Sequence, residues 1–155
     1  MILTARCLIL ACGNTMREDD GVGPFLAQWA EEHWRRDARV RVLCDHQWTP
    51  DMAEEVAAAE TVIFVDCALD QAPGQILLRE LSAAALKPGL VTHHLGAAEL
   101  LRVAEDLYSK QPRRACLLTV GAGSIELGEG LSPAVRNALP DAEELLALTV
   151  NQLLG

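Results

Sequence analysis

The sequence is short of aromatic residues and of positive charge, and each shortage excludes a class of protein. Only 4% of the residues are Phe, Trp or Tyr, which disfavours a sandwich of aromatic-rich strands and favours helices packed on a sheet. The formal net charge is -9, and basic residues cluster only at Arg35-Arg36 and Arg113-Arg114. Nucleic acid and anionic membranes are therefore not expected partners, because both are bound through clustered positive charge.

Long apolar runs and paired cysteines are also missing. No segment approaches the roughly 20 apolar residues that a transmembrane helix needs. The opening stretch MILTARCLILACG has only a short apolar run after Arg6 and no small-residue cleavage site, so we interpret it as a first strand rather than a secretion signal. The five cysteines contain no CxxC pair, which favours a reducing compartment, and we expect a cytoplasmic protein.

Short apolar runs alternate with helical patterns along the 155 residues, a length that suits one domain. The expected strands are 6–12, 40–44, 61–67, 74–81 and 115–121. The expected helices are about 24–36, 50–59, 97–108 and a last one that begins at LSPAV, where Ser132 can cap, Pro133 fits the first turn and Pro140 introduces a bend.

These elements predict a single α/β domain over residues 1–155. Three of the strands are apolar throughout, which is typical of parallel strands that are covered on both sides. We expect three layers, with a mostly parallel five-stranded sheet and helices on both faces. The fourth strand follows the short turn LDQAPG and is a candidate antiparallel strand.

Polar residues follow several of the predicted strands. In an open α/β sheet, ligands bind beyond the carboxyl ends of the strands. The residues placed there are Asn14 and the acids 18–20, then Asp45, His46 and Gln47, then Asp66, then the segment GAGSIE, with His93 and His94 in the loop before the third helix.

Each of these candidates also has a purely structural interpretation. Asp20 could favour the start of the first helix, Asp66 could cap a loop, and a lone loop histidine is usually solvated. If the three loops converge, however, two carboxylates and an imidazole form a site that suits Ni²⁺, Zn²⁺ or a similar ion. Thiolates from Cys12, Cys44 and Cys67 could add to it, although we favour these cysteines as small core residues.

Familiar catalytic and nucleotide-binding motifs are not found in the sequence. The segment CGNTMREDDGVG is not GxGxxG, and no Walker lysine follows it. Neither HExxH nor GxSxG occurs. The sequence therefore indicates neither a nucleotide cradle nor one of the common protease mechanisms.

The segment ACGNTMREDDGVG resembles the opening motif GxGNxxxxDDGxG of the endopeptidases that mature the large subunit of nickel-iron hydrogenases. The matching positions are Gly13, Asn14, Asp19, Asp20, Gly21 and Gly23, and the departure is Ala11, where glycine is usual. Because alanine tolerates positive φ poorly, that departure concerns backbone room in the first turn. The resemblance continues through FVDCA, HHLG and GEGLSP in the same order and covers almost the whole chain.

The resemblance implies an endopeptidase whose metal contacts are Asp20, Asp66 and His93, with His94 at a variable position. The family removes a short C-terminal extension, after a basic residue, from a hydrogenase large-subunit precursor that already carries nickel. It thus implies that the nickel is presented by the substrate, that no organic cofactor is needed, and that the enzyme is a monomer. The segment CDHQWTPDMAE looks like the His-Gln-x-x-Pro form of some members, which leaves the hydrogenase class open.

For the chemical step we expect a water molecule near the metal to attack the peptide bond, with Asp20 or Asp66 assisting proton transfer. His46 is a further candidate, as a residue that supports the metal ligands. A Mg²⁺-dependent phosphoryl receiver domain is the alternative, since such domains also place acids after the first and third strands, but the lysine expected after the fifth strand is missing. A nucleotide-binding or scaffold domain with an acidic rim is a third reading.

Overall fold

A computed structural model describes residues 5–82 and 95–155 of the chain. Its strands are β1 (Cys7–Cys12), β2 (Val40–Asp45), β3 (Thr61–Ala68), β4 (Ile76–Leu81) and β5 (Arg114–Gly121). Its helices are α1 (Val22–His33), α2 (Ala53–Ala58), α3 (Ala97–Tyr108) and α4 (Pro133–Leu154), with short 3-10 turns at Glu18–Gly21 and Pro50–Met52. Every predicted strand and helix is present, with ends shifted by a few residues.

The five strands form one sheet in the order β2-β1-β3-β5-β4. The pairs β1–β2, β1–β3 and β3–β5 are parallel, whereas β4 runs antiparallel to β5 at the edge. This confirms the predicted α/β class, the mostly parallel sheet and the antiparallel fourth strand. All six residues of β1 are buried, as expected for a strand that is hydrogen-bonded on both sides and covered on both faces.

Side chains alternate between two core layers, because successive residues of a strand point to opposite faces. Ile9 and Val65 pack with Leu26 of α1 and Leu146 of α4. Leu10 and Phe64 pack on the other face with Val56 of α2 and Leu100 of α3. The fold therefore has the three predicted layers, with the sheet between two layers of helices.

Helix α4 runs unbroken from Pro133 to Leu154 and contains Pro140 in its interior. It buries nine residues along its length, including Leu146 and Val150, against the sheet. This packing offsets the hydrogen bond that Pro140 cannot donate. Within residues 5–82 and 95–155, none of the helices has the length and apolar character that crossing a membrane requires.

Candidate functional site

The candidate site lies where β1 and β3 end side by side at the carboxyl edge of the sheet. In the sheet, β2 lies on one side of the β1–β3 pair, whereas β5 and β4 lie on the other side. The connections after β1 and after β3 therefore run in opposite directions. Diverging connections of this kind open a crevice at the strand ends, and ligands bind there in open α/β sheets. Asp20 lies in the 3-10 turn after β1, and Asp66 lies near the end of β3.

Asp20, Asp66 and Cys67 form a compact group of potential metal ligands. One ligand atom from each residue lies within 4.8 Å of the other two, and all three residues are half-buried. The Cys67 thiol donates a hydrogen bond to Asp20 Oδ1 over 3.2 Å. The structure thus brings together the two carboxylates that the sequence analysis selected, and it adds a thiol.

Backbone amides fix both carboxylates in this group. The Asn14 N–H donates to Asp20 Oδ2 over 2.7 Å, and the Cys67 N–H donates to Asp66 Oδ1 over 2.8 Å. Each bond uses one oxygen of a carboxylate, which can accept several bonds. The carboxylates are therefore oriented by the backbone and keep acceptor capacity for another group.

A second thiol, that of Cys12, approaches Asp66 from the opposite core layer. Cys12 is 7% exposed and belongs to the layer with α2 and α3, whereas Cys67 packs against the layer with α1 and α4. Burial raises the pKa of the Cys12 thiol well above its usual range, and the charge of Asp66 and a hydrogen bond with it raise this pKa further. Cys12 is thus a neutral thiol beside the carboxylate.

The pKa of the Cys67 thiol is also raised well above its usual range. Burial is the largest cause, followed by the hydrogen bond to Asp20 and by the negative charges of Asp66, Asp20 and Asp19. A nucleophilic cysteine needs a lowered pKa, because the thiolate is the reactive form. The environment of Cys67 therefore does not activate it for nucleophilic attack on a peptide bond.

Asp19, the neighbour of Asp20, is fully buried and ties three parts of the chain together. Its carboxylate accepts hydrogen bonds from the N–H groups of Gly123, Ser124 and Ser132 and from the Ser132 hydroxyl, over 2.6 to 3.1 Å. Burial alone would raise the pKa of Asp19, but these bonds outweigh it and lower the pKa. Asp19 is therefore an ionised anchor rather than a metal ligand.

The role predicted for Ser132 is corrected by this contact. Ser132 precedes α4 at the capping position, yet its side chain makes no capping hydrogen bond to the helix. Its hydroxyl donates to Asp19 Oδ2 instead. The carboxylate is the stronger acceptor, because a hydrogen bond to a charged group is about twice as strong as one between neutral groups.

Backbone hydrogen bonds also connect the loop after β1 with the loop after β5. Glu18 N–H donates to the Gly128 carbonyl and Gly128 N–H donates to the Met16 carbonyl, both over 2.9 Å. Asp19 N–H donates to the Ser124 carbonyl over 3.0 Å. The 3-10 turn that carries Asp20 is thus hydrogen-bonded to the loop after β5 at Glu18 and Asp19.

Two glycines of the opening motif permit a close approach of backbone segments. A Cβ on Gly13, whose φ is +152°, would lie 1.9 Å from the Asp20 carbonyl oxygen, and one on Gly23 would lie 2.1 Å from the Cys12 carbonyl oxygen. Ala11 lies inside β1, fully buried, and pairs with Cys44 and Val65. Backbone room in the first turn is therefore limited at Gly13 rather than at Ala11.

A small cleft of about 170 Å³ is lined in part by Glu18 and Gly21, which belong to the same 3-10 turn as Asp20. It lies between the loop after β1, the first turns of α1 and the segment before α4; its lining residues are Thr15, Glu18, Gly21, Pro24, Phe25, Gln28, Gly130 and Leu131. Glu18 has a φ of +45°, a conformation that costs free energy in a residue other than glycine. Phe25 is 45% exposed, and Met16 and Leu127 nearby are 52% and 84% exposed.

The other predicted site residues stand outside this group or outside the described residues. His46 is exposed on the segment after β2, where its N–H donates to Asp45 Oδ1, and it is not part of the ligand group. His93 and His94 fall in residues 83–94, which lie outside the described residues. Cys67 is one of three cysteines near strand ends that could supply a thiolate by sequence, with a core position favoured, and the structure places its sulfur in the ligand group.

Searches of known structures return proteins that share this architecture. The hydrogenase maturating endopeptidase HybD from E. coli superimposes with a TM-score of 0.79 at 22% identity, over 95% of this chain and 93% of that one. The chain has the fold of the hydrogenase maturation endopeptidases. The [NiFe] hydrogenase maturation protease HybD from Thermococcus kodakarensis gives a TM-score of 0.71 at 23% identity, over 93% of this chain and 98% of that one.

A third similar structure is the hydrogenase 2 maturation peptidase from a Thaumarchaeota archaeon, with a TM-score of 0.69 and 23% identity over 94% of this chain and 97% of that one. No family model matches the sequence, and a search of curated proteins finds no match.

The strand order differs from the order 2-1-3-4-5 of receiver domains such as CheY, since β5 lies between β3 and an antiparallel β4. The topology therefore disfavours the receiver alternative.

Proposed function

We propose that the protein is an endopeptidase that removes the C-terminal extension of a nickel-loaded [NiFe]-hydrogenase large-subunit precursor. The observation that carries this proposal is the convergence of Asp20 and Asp66 at the strand ends. It is supported by a fold shared, over nearly the full length, with proteins named as hydrogenase maturation endopeptidases. Because one fold can serve several functions, the site rather than the fold carries the argument.

In this proposal the nickel belongs to the substrate. Asp20 and Asp66 offer carboxylate oxygens at a partly open edge, and oxygen, nitrogen and sulfur donors suit Ni²⁺ or Zn²⁺. These residues would complete a coordination shell that the precursor fills only in part. His93 remains the predicted third ligand, on the basis of the family resemblance alone.

The two carboxylates would also serve the chemical step. A water molecule attacks the scissile carbonyl, and Asp20 or Asp66 accepts the proton that it loses. The nickel of the precursor would polarise the scissile carbonyl or the water. Cys12 and Cys67 do not replace the water as nucleophile, because burial and neighbouring carboxylates keep their pKa raised.

The cleft between the loop after β1 and the first turns of α1 is the expected contact for the precursor polypeptide. It is smaller than the roughly 300–1,000 Å³ of small-molecule pockets, so it suits one inserted side chain of a longer segment. Gly21, which lines it, directly follows Asp20 in the chain. A peptide that occupies the cleft would therefore pass close to the carboxylates.

Location and assembly are part of the same proposal. We propose a cytoplasmic monomer that meets its precursor transiently. All five cysteines are free thiols in the structure, as we expect of a protein in a reducing compartment. Gel filtration with light scattering, with and without precursor, tests the monomeric state.

Incubation with purified precursor tests the proposed activity. Three substrates are compared by mass spectrometry: the nickel-loaded precursor, the same precursor without nickel, and the mature-length subunit. We expect loss of one C-terminal peptide from the nickel-loaded precursor only. Equal cleavage with and without nickel would contradict the metal requirement, and no cleavage of any candidate client would contradict the proposed activity.

A further inference from the structure

Cys67 is the only thiol whose sulfur belongs to the compact ligand group in the described part of the chain. It follows Asp66 directly at the end of β3, where the strand emerges from the core. Its Sγ–H points at Asp20 Oδ1, and its own N–H holds Asp66. Cys67 therefore contacts both carboxylates through two different atoms.

The distance between Cys67 Sγ and Asp20 Oδ1 is compatible with two ligands of one metal ion. With Zn–S of about 2.3 Å and Zn–O of about 2.1 Å, a sulfur and an oxygen on the same ion lie roughly 3.1 to 3.6 Å apart for angles between 90° and 109°. The distance from Cys67 Sγ to Asp20 Oδ1 is 3.2 Å.

We propose that Cys67 Sγ is a metal ligand together with Asp20 and Asp66, so that the site selects borderline and soft divalent ions over Mg²⁺ and Ca²⁺. Thiolate ligands favour ions such as Ni²⁺, Co²⁺, Zn²⁺ and Cd²⁺, whereas sites with oxygen ligands alone suit Mg²⁺ and Ca²⁺. On binding, the thiol proton passes to solvent and the Cys67–Asp20 hydrogen bond is replaced by two bonds to the ion. The inference rests on the metal contact of the proposed function.

Cys12 is the competing thiol, and the structure separates it from this role. It belongs to the other core layer, is 7% exposed, and makes a hydrogen bond with Asp66. It does not share the ligand group with Asp20 and Cys67. Cys44 is exposed on β2 and also lies outside the group, which makes it a matched control.

Binding of Co²⁺ to the full chain under reducing conditions tests the proposal. A cobalt–thiolate bond gives a charge-transfer absorption in the near ultraviolet, which oxygen and nitrogen ligands do not give. We expect this band in the unaltered protein and in Cys44→Ser, its loss in Cys67→Ser, and at least a tenfold weaker Co²⁺ affinity in Cys67→Ser. Mg²⁺ in large excess should not displace the cobalt.

Three results would overturn the inference: no band in the unaltered protein, an unchanged band in Cys67→Ser, or a band lost in Cys12→Ala but kept in Cys67→Ser. Circular dichroism and thermal unfolding of each variant show whether it is folded. Precursor cleavage is measured separately. If nickel-dependent cleavage occurs without any cobalt–thiolate band, the ligand role of Cys67 fails while the proposed function stands.

Discussion

Asp19 accepts hydrogen bonds from both the backbone N–H and the hydroxyl of Ser132, a residue 113 positions later in the chain. The carboxylate is fully buried, so its oxygens depend on these protein donors rather than on water. The same carboxylate also accepts hydrogen bonds from the N–H groups of Gly123 and Ser124. One side chain thereby connects the turn that carries Asp20 with the start of α4.

Replacing Asp19 by Ala should destabilise the fold by about 3 kcal/mol. Four donors lose their acceptor, and a fully buried unsatisfied group costs about 1 to 3 kcal/mol, but Gly123, Ser124 and Ser132 are partly exposed, so water replaces part of the lost bonding. Urea unfolding followed by circular dichroism measures the change. Asp70→Ala is the control, since Asp70 is exposed and should change stability by less than about 0.5 kcal/mol. Equal stability of the two variants would contradict the anchoring role of Asp19.

Ser132→Ala should cost less than Asp19→Ala, about 1.5 kcal/mol, because it removes one hydrogen bond to a charged group and leaves the backbone bond of residue 132 intact. The double variant should be less destabilised than the sum of the two single variants, since they share the contact. A strictly additive double-mutant cycle would show that the hydroxyl contributes through something other than Asp19.

Gly23→Ala should prevent stable folding or lower the midpoint of unfolding by several degrees, because the new Cβ would lie 2.1 Å from the Cys12 carbonyl oxygen and backbone atoms cannot move aside cheaply. Gly96→Ala is the matched control. Among the residues that the structure describes, a Cβ there meets the Glu99 carboxylate alone, at 3.5 Å, which is ordinary contact. Thermal unfolding of the two variants should differ clearly, and similar midpoints would show that the β1–α1 approach is less tight than described.

Phe25→Ser should raise the KM for precursor cleavage about tenfold and leave the midpoint of unfolding nearly unchanged, because Phe25 lines the cleft and is 45% exposed. A buried contact with a substrate side chain of that size contributes roughly 1.5 kcal/mol or more. Leu107→Ser is the control, since Leu107 is 64% exposed on α3 and does not line the cleft. Equal kinetics in both variants would place the precursor elsewhere.

Much of the fold could be predicted because its causes are local in the sequence. β1 and β3 are continuous apolar runs, and such runs are typical of strands covered on both faces. The meeting of Asp20 and Asp66 also follows from a general rule, since the ends of neighbouring parallel strands share one edge. The short turn before β4 correctly indicated an antiparallel strand.

The roles of Asp19, Ser132 and Cys67 could not be predicted in the same way. Ser132 has the sequence context of a helix cap, but the buried carboxylate of Asp19 competes for its hydroxyl. Which of two adjacent acids anchors the fold and which faces the site depends on the 3-10 turn between β1 and α1. Cys67 shares its position near a strand end with Cys12 and Cys44, and its distance to Asp20 Oδ1 distinguishes it from them.

The central claim is that Asp20 and Asp66 act together on the nickel-loaded precursor, and single-turnover cleavage by Asp20→Asn and Asp66→Asn tests it most directly. Asp70→Asn serves as the matched control, because Asp70 lies four residues beyond Asp66, is exposed and does not belong to the ligand group. We predict that both site variants stay folded and lose at least a hundredfold in cleavage rate, whereas Asp70→Asn cleaves at the unaltered rate. Full cleavage by either site variant would contradict the account.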